Sequence, residues 1–156
     1  MVELNFSNEA LISDILKAAI DVEINQIANL ANAAAVLKEY INDINWAGFY
    51  LYNQSQNELI LGPFQGKAAV SRIAVGKGVV GTAFFKNEVI VVDDVSLFAG
   101  HIACDPTSQS EIVLPLVKDN GEKIGLLDID APKIARFDNQ LVNELKKFVA
   151  VLINYI

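Results

Sequence analysis

The stretch GHIACDPTSQSEI, residues 100–112, carries the only cysteine of the chain, Cys104, and its only histidine, His101. Asp105 adjoins the thiol and Glu111 follows it by seven residues. A thiolate so placed can serve as a nucleophile, and an inert buried thiol is the other reading. His101 reads as a loop residue or a hydrogen-bonding partner. A second group of reactive side chains lies in LLDID, where period-2 geometry sets Asp128 and Asp130 on one face of a strand and Leu127 and Ile129 on the other. Two carboxylates within an apolar strand are costly to bury without a partner. Either that face is solvated, or it is built to do chemistry. Crowded carboxylates cannot all ionise, so one can keep a proton at neutral pH and act as an acid. The charge that remains can hold a cation such as an ammonium group. In WAGFY, Trp46, Gly48 and Tyr50 share one face, and Ala47, Phe49 and Leu51 share the other. Gly48 is expected to leave a hollow between two aromatics, which are either plain core or the wall of a site.

These residues need elements to position them. From about Asn8 to Tyr40 apolar residues recur every three or four positions, which predicts two helices broken near Asp21–Glu23, with Ser7 or Asn8 as N-cap. NWAGFYLYN alternates, QSQN turns and ELILG returns, a hairpin. SRIAVGKG is a short strand ending in a glycine turn, VVGTAFFKN a short helix, and EVIVVDDV a strand with Asp93-Asp94 at its terminal turn. Residues 94–110 form a long loop with room for a helical turn. EIVLPLVKDNGEKIGLLDIDAP is a hairpin turning at Asn120-Gly121. A closing helix over about 138–155 is capped by Asp138 or Asn139. Strands grouped between helices predict an α+β fold, a single domain over 1–156: helices over about 8–40, sheet and loops over about 45–131, then the closing helix.

Composition narrows the classes. The chain has 156 residues, 53% hydrophobic and 20% charged, which suits one globular domain. A formal net charge of -7 with no basic run disfavours nucleic acid and anionic membrane. One cysteine excludes an internal disulfide, and with no CxxC and one histidine no zinc site is expected. A site from Asp93, Asp94, Asp128 and Asp130 lacks a glycine-punctuated calcium loop, so no metal is expected. The N-terminus lacks a basic region followed by an apolar run, and no stretch reaches membrane-spanning length, so a cytoplasmic protein is expected.

Several longer phrases carry a resemblance. NWAGFYL, LGPFQGK, GKGVVGTA, GHIACD, SEIVLPL and GLLDID, in that order, resemble the free methionine-(R)-sulfoxide reductase family, and the order of elements resembles a GAF domain. The resemblance runs from about Ile27 into the last helix. It implies a central antiparallel sheet of about six strands flanked by N-terminal and C-terminal helices. It also implies a cytoplasmic enzyme, usually a homodimer, that reduces the R epimer of free methionine sulfoxide rather than the protein-bound residue. No bound cofactor is implied, and the electrons come from an external thiol, thioredoxin or a small molecule such as glutathione. Residue by residue, the resemblance places the catalytic cysteine on Cys104. It places the pocket aromatics on Trp46 and Tyr50, and the carboxylates of substrate binding and proton donation on Glu111, Asp128 and Asp130. Two further family cysteines are absent, because Val70 and Val80 stand at their positions.

The chemistry suits those residue types. A sulfoxide is reduced when a thiolate attacks sulfur and an acid protonates the oxygen, leaving a sulfenic acid. Three carboxylates would raise the pKa of a nearby thiol, yet they suit the acid's role and can bind an α-ammonium group. An indole or phenol face suits an S-methyl group. Two other readings stand beside this one. One is a GAF small-molecule sensor without turnover, favoured by the missing cysteines. The other is an interaction protein pairing through its helices, which needs no acid cluster.

Overall fold

The Ala- and Leu-rich opening folds as two helices, as its apolar spacing predicts. A computed structural model describes residues 8–102 and 105–156. A 3₁₀ turn, Asn8–Leu11, leads into α1, Ile12–Ala19, and α2 spans Gln26–Tyr40. The break between them is wider than the expected Asp21–Glu23. Asn25 is the reason: its Oδ1 accepts a hydrogen bond from the Ala28 N–H at 3.0 Å and so sets the start of α2. Ser7 lies outside the described residues. Buried Asn29 ties the break to the C-terminus, donating to the carbonyls of Asp21 at 3.1 Å and Tyr155 at 2.8 Å.

Six antiparallel strands follow: β1 Trp46–Asn53, β2 Glu58–Gln65, β3 Arg72–Ala74, β4 Ile90–Val92, β5 Ser110–Val117 and β6 Lys123–Ala131. Their order in the sheet is β3-β2-β1-β6-β5-β4, which makes β1, β6 and β5 interior strands. β4 is shorter than the eight residues of EVIVVDDV. Asp94 ends it by accepting from the Ser96 N–H at 3.0 Å, which caps a 3₁₀ turn over Val95–Leu97. The β5–β6 connection turns as expected: Gly121 donates to the Lys118 carbonyl at 2.8 Å with φ +86°, a conformation that favours glycine. Helix α3, Gly78–Lys86, follows β3, and α4, Asn139–Leu152, closes the fold with Asp138 as its N-cap. No helix of the described residues is long and apolar enough to cross a membrane.

The sheet is buried on both faces. On one, Ala47, Phe49, Ile112, Leu114, Leu127 and Ile129 pack against α1, α2 and α4 through Leu16, Leu30, Leu37, Leu145 and Phe148. On the other, Trp46, Tyr50, Val113 and Leu126 pack against Val79, Val80, Ala83 and Phe84 of α3. The period-2 assignment of WAGFY therefore holds residue by residue. The expected hollow at Gly48 does not. The β1–β2 register shifts between Gly48 and Tyr50, setting Phe64 opposite Gly48. A Cβ on Gly48 would lie 2.2 Å from Phe64 Cβ and 2.8 Å from Trp46 Cη2, so the space is already filled by the aromatics.

Gly48→Ala should overpack this contact. It is expected to cost about 1–3 kcal/mol in urea unfolding and to shift the emission of Trp46, the only tryptophan. An unchanged midpoint and spectrum would show that the aromatics yield freely.

Candidate functional site

Strand register assembles the site. On β6, Asp128 lies opposite Gly48 of β1 and Val113 of β5, and Asp130 lies opposite Trp46 and Glu111. Directly opposed residues share a face, so Trp46, Asp130 and Glu111 form a row across three strands, with Asp128 beside them. The solvated-face reading fails here: Asp128 is 0%, Asp130 2% and Glu111 3% exposed. One oxygen from each of these carboxyl groups lies within 4.8 Å of the others.

Burial and mutual repulsion raise all three pKa values. Glu111 is pushed up to about 8, first by loss of solvation and then by Asp130, against a smaller lowering from Asp128. Asp128 is raised well above the carboxylate range by burial, then by the charge of Glu111 and a hydrogen bond with it. Asp130 is raised by burial, then by Asp128 and Asp105. Both oxygens of Asp128 lack a donor among the described residues. Glu111 can bond to Asp128 only when one of the pair carries a proton, since a carboxylate donates nothing. Among the described residues these three carboxyls are the group spaced to hold a cation, and Asp93 and Asp94 take no part in it.

An aromatic wall borders the cluster. Trp46 and Tyr50 are fully buried and stack with centroids 6.2 Å apart, and Phe64 stacks on Trp46 at 5.2 Å. Their polar tips are satisfied by one loop: Trp46 Nε1 donates to the Lys67 carbonyl at 3.0 Å, and Tyr50 Oη donates to the Val70 carbonyl at 2.7 Å. Lys67 Nζ in turn lies 3.7 Å from Asp105 Oδ1. Asp105 accepts from the Thr107 N–H at 2.9 Å and its hydroxyl at 2.7 Å. Those bonds come first in holding it down to about 2, with Asn45 and Lys67 contributing less. Asn45, just before β1, also donates to Ser108 Oγ at 3.0 Å.

The structure therefore brings Trp46, Tyr50, Glu111, Asp128 and Asp130 onto one face, beneath α3. Cys104 lies outside the described residues. Val80 is buried on α3, and Val70 is 39% exposed in the loop over Tyr50. His101, expected as a loop residue or hydrogen-bonding partner, is the latter: its Nε2 is 3.0 Å from Glu111 Oε2. Its link to Glu111 was not legible in the sequence, because no periodicity crosses residues 94–110. The hold of Lys67 on Trp46 was likewise hidden, since it runs through the Lys67 carbonyl. A wider groove of about 350 Å³ follows β4 past Leu97 and Phe98, but no buried charges converge there.

Comparison with known proteins agrees with this geometry. The GAF domain family matches residues 27–152. The free methionine-R-sulfoxide reductase of Escherichia coli is 52% identical over 130 residues, covering 83% of this chain and 77% of that protein. The free methionine-R-sulfoxide reductase of Saccharomyces cerevisiae is 42% identical, covering 96% and 87% respectively. The structure of the fRMsr of Staphylococcus aureus in complex with its substrate superposes with a TM-score of 0.88 at 46% identity, over 97% of each chain. Identity and coverage at this level, on a shared fold, place the chain in the GAF-domain family of free methionine-R-sulfoxide reductases.

Proposed function

We propose a route by which this chain, by family a free methionine-R-sulfoxide reductase, turns free methionine-(R)-sulfoxide into methionine. The observation that carries it is the buried cluster of Glu111, Asp128 and Asp130, with both Asp128 oxygens lacking a donor among the described residues, beside Trp46 and Tyr50. Such a site is incomplete without a cationic ligand, and the α-ammonium of a free amino acid supplies one. A residue inside a polypeptide has no such charge, so the site favours the free amino acid. The faces of Trp46 and Tyr50 receive the S-methyl end. The raised pKa values keep a proton on the cluster near neutrality, available to the sulfoxide oxygen.

Cys104 is the nucleophile of this route. Its thiolate attacks the sulfoxide sulfur while a cluster carboxyl gives its proton to the oxygen. The oxygen passes to the cysteine as a sulfenic acid, two electrons move from the cysteine to the substrate, and methionine leaves. The carboxyl is left ionised and must regain a proton. No second cysteine exists in the chain, so an external thiol, that of thioredoxin or glutathione, attacks the sulfenic acid, and water departs. We place the enzyme in the cytoplasm as a homodimer, with no bound cofactor and no nucleic-acid or membrane partner. We read residues 1–156 as one GAF domain, which the burial of Ile12 and Leu16 in the shared core supports.

Chiral chromatography of a racemic sulfoxide mixture is expected to show loss of the free R epimer, with the S epimer and peptide-bound sulfoxide spared. Equal loss of both epimers would sink this reading. One turnover without reductant should add one oxygen to the Cys104 peptide, trappable by dimedone in mass spectrometry, and Cys104→Ser should be inactive. Turnover by Cys104→Ser would refute the route.

Asp128→Asn, Asp130→Asn and Glu111→Gln are each expected to lower kcat/KM by at least about tenfold. Near wild-type rates in all three would remove the cluster from catalysis. The same groups govern stability. A carboxyl whose pKa is raised on folding contributes full stability below its ordinary pKa and loses it as pH rises through the folded value. For Glu111 that window runs from its ordinary value of 4.5 to about 8. The ligand-free protein should therefore lose stability across that range. Glu111→Gln should raise Tm at pH 8 by about 3–6 °C and change little at pH 4.5. A Tm gain that is equal at both pH values would contradict the assignment.

A further inference from the structure

Each turnover of the proposed route takes one proton from a cluster that water scarcely reaches. Asp128 is fully buried, and Glu111 and Asp130 are nearly so. Lys77, Val79, Val80 and Ile102 line the crevice beside Glu111, a largely apolar wall. His101 reaches both Glu111 and solvent. The His101 ring sets Nε2 3.0 Å from Glu111 Oε2 and keeps 13% of its surface in solvent. We propose that His101 is a positioning residue that restores the proton of Glu111 after each turnover, relaying it from solvent through its imidazole. The inference rests on the reading of the cluster as the proton source.

The step balances. The ring takes one proton from water or buffer to become imidazolium. It passes one proton from Nε2 to the ionised Glu111 oxygen and returns to the neutral form. No electrons move. Burial lowers the His101 pKa, and burial with Asp130 raises that of Glu111, so transfer from ring to carboxyl runs downhill. Glu111 then shares the proton with Asp128 across the β5–β6 pair.

The test is chemical rescue in the full-length enzyme. Free methionine-(R)-sulfoxide is the substrate, and dithiothreitol is raised until the rate no longer depends on it. His101→Ala is expected to lower kcat by about 10- to 100-fold with KM within about twofold of wild type. Imidazole at tens of millimolar should recover much of that loss while leaving the wild-type enzyme unchanged. His101→Gln, which keeps an amide beside Glu111 but cannot relay a proton, should remain slow. Wild-type kcat in His101→Gln or His101→Ala, or no rescue of His101→Ala by imidazole, overturns the proposal. Glu111→Gln, run alongside, separates the two levels. If it is slow while His101→Ala is at wild-type rate, only the relay fails. If Glu111→Gln itself turns over at wild-type rate, the cluster is not the proton source and the relay falls with it.

Discussion

Three carboxyl groups share one water-poor face of the sheet, and their repulsion sets the terms for everything around them. Water would relieve the repulsion by solvating the charges, and it would also remove their chemical use. A hydrated carboxylate at neutral pH is neither a proton donor nor a strong seat for an ammonium group. Exclusion of water does both jobs at once, pushing Glu111 up to about 8 and leaving the Asp128 oxygens without donors among the described residues. Among the described residues the Asp128 oxygens stay unsatisfied, and the proposed route has the ammonium of the substrate meet them.

Such a site costs stability as it ionises, so it requires a scaffold anchored elsewhere. Period-2 geometry provides one. The side chains that alternate with the acids, Ile112 and Leu114 on β5 and Leu127 and Ile129 on β6, belong to the larger core beneath α1, α2 and α4. The acids therefore sit on strands already anchored from behind. All three lie on interior strands, where both neighbours fix the backbone. The smaller core under α3 closes the front. Its aromatics are fixed at their polar tips by the carbonyls of Lys67 and Val70, so the wall cannot slide along the cluster.

How far this could be read in the sequence follows from the range of each interaction. LLDID and WAGFY showed their faces because alternation is local, and the cap at Asp138 follows a rule spanning three residues. The assembly of Glu111 with Asp128 and Asp130 came from the family resemblance, and strand register then accounts for it. What stayed hidden depends on distant chain. Phe64 fills the space over Gly48 because of a register shift in the β1–β2 pair, which no alternation pattern reveals. His101 meets Glu111 across a loop with no repeating geometry. Lys67 holds Trp46 through its backbone, and a carbonyl leaves no mark in residue type.

Asp105 completes the electrostatic account, because it has the same functional group as Asp128 and the opposite behaviour. Both are buried by accessibility, at 3% and 0% exposure. Asp105 accepts two hydrogen bonds from Thr107 and faces the Lys67 ammonium at 3.7 Å, so its charge is stabilised and its pKa falls to about 2. Asp128 is raised first by burial and then by the charge of Glu111 and a hydrogen bond with it, and no donor among the described residues offsets this. Burial that lacks such donors makes a proton store, and donors with a nearby cation make a fixed anion. The fixed anion at Asp105 is itself one of the charges that raise Asp130. It joins the segment after Cys104 to the loop over the aromatics through Lys67, and through Thr107 and Ser108 to Asn45 ahead of β1. A permanently charged residue beside the thiol in sequence thus does structural work and leaves the protons to the three acids on the sheet.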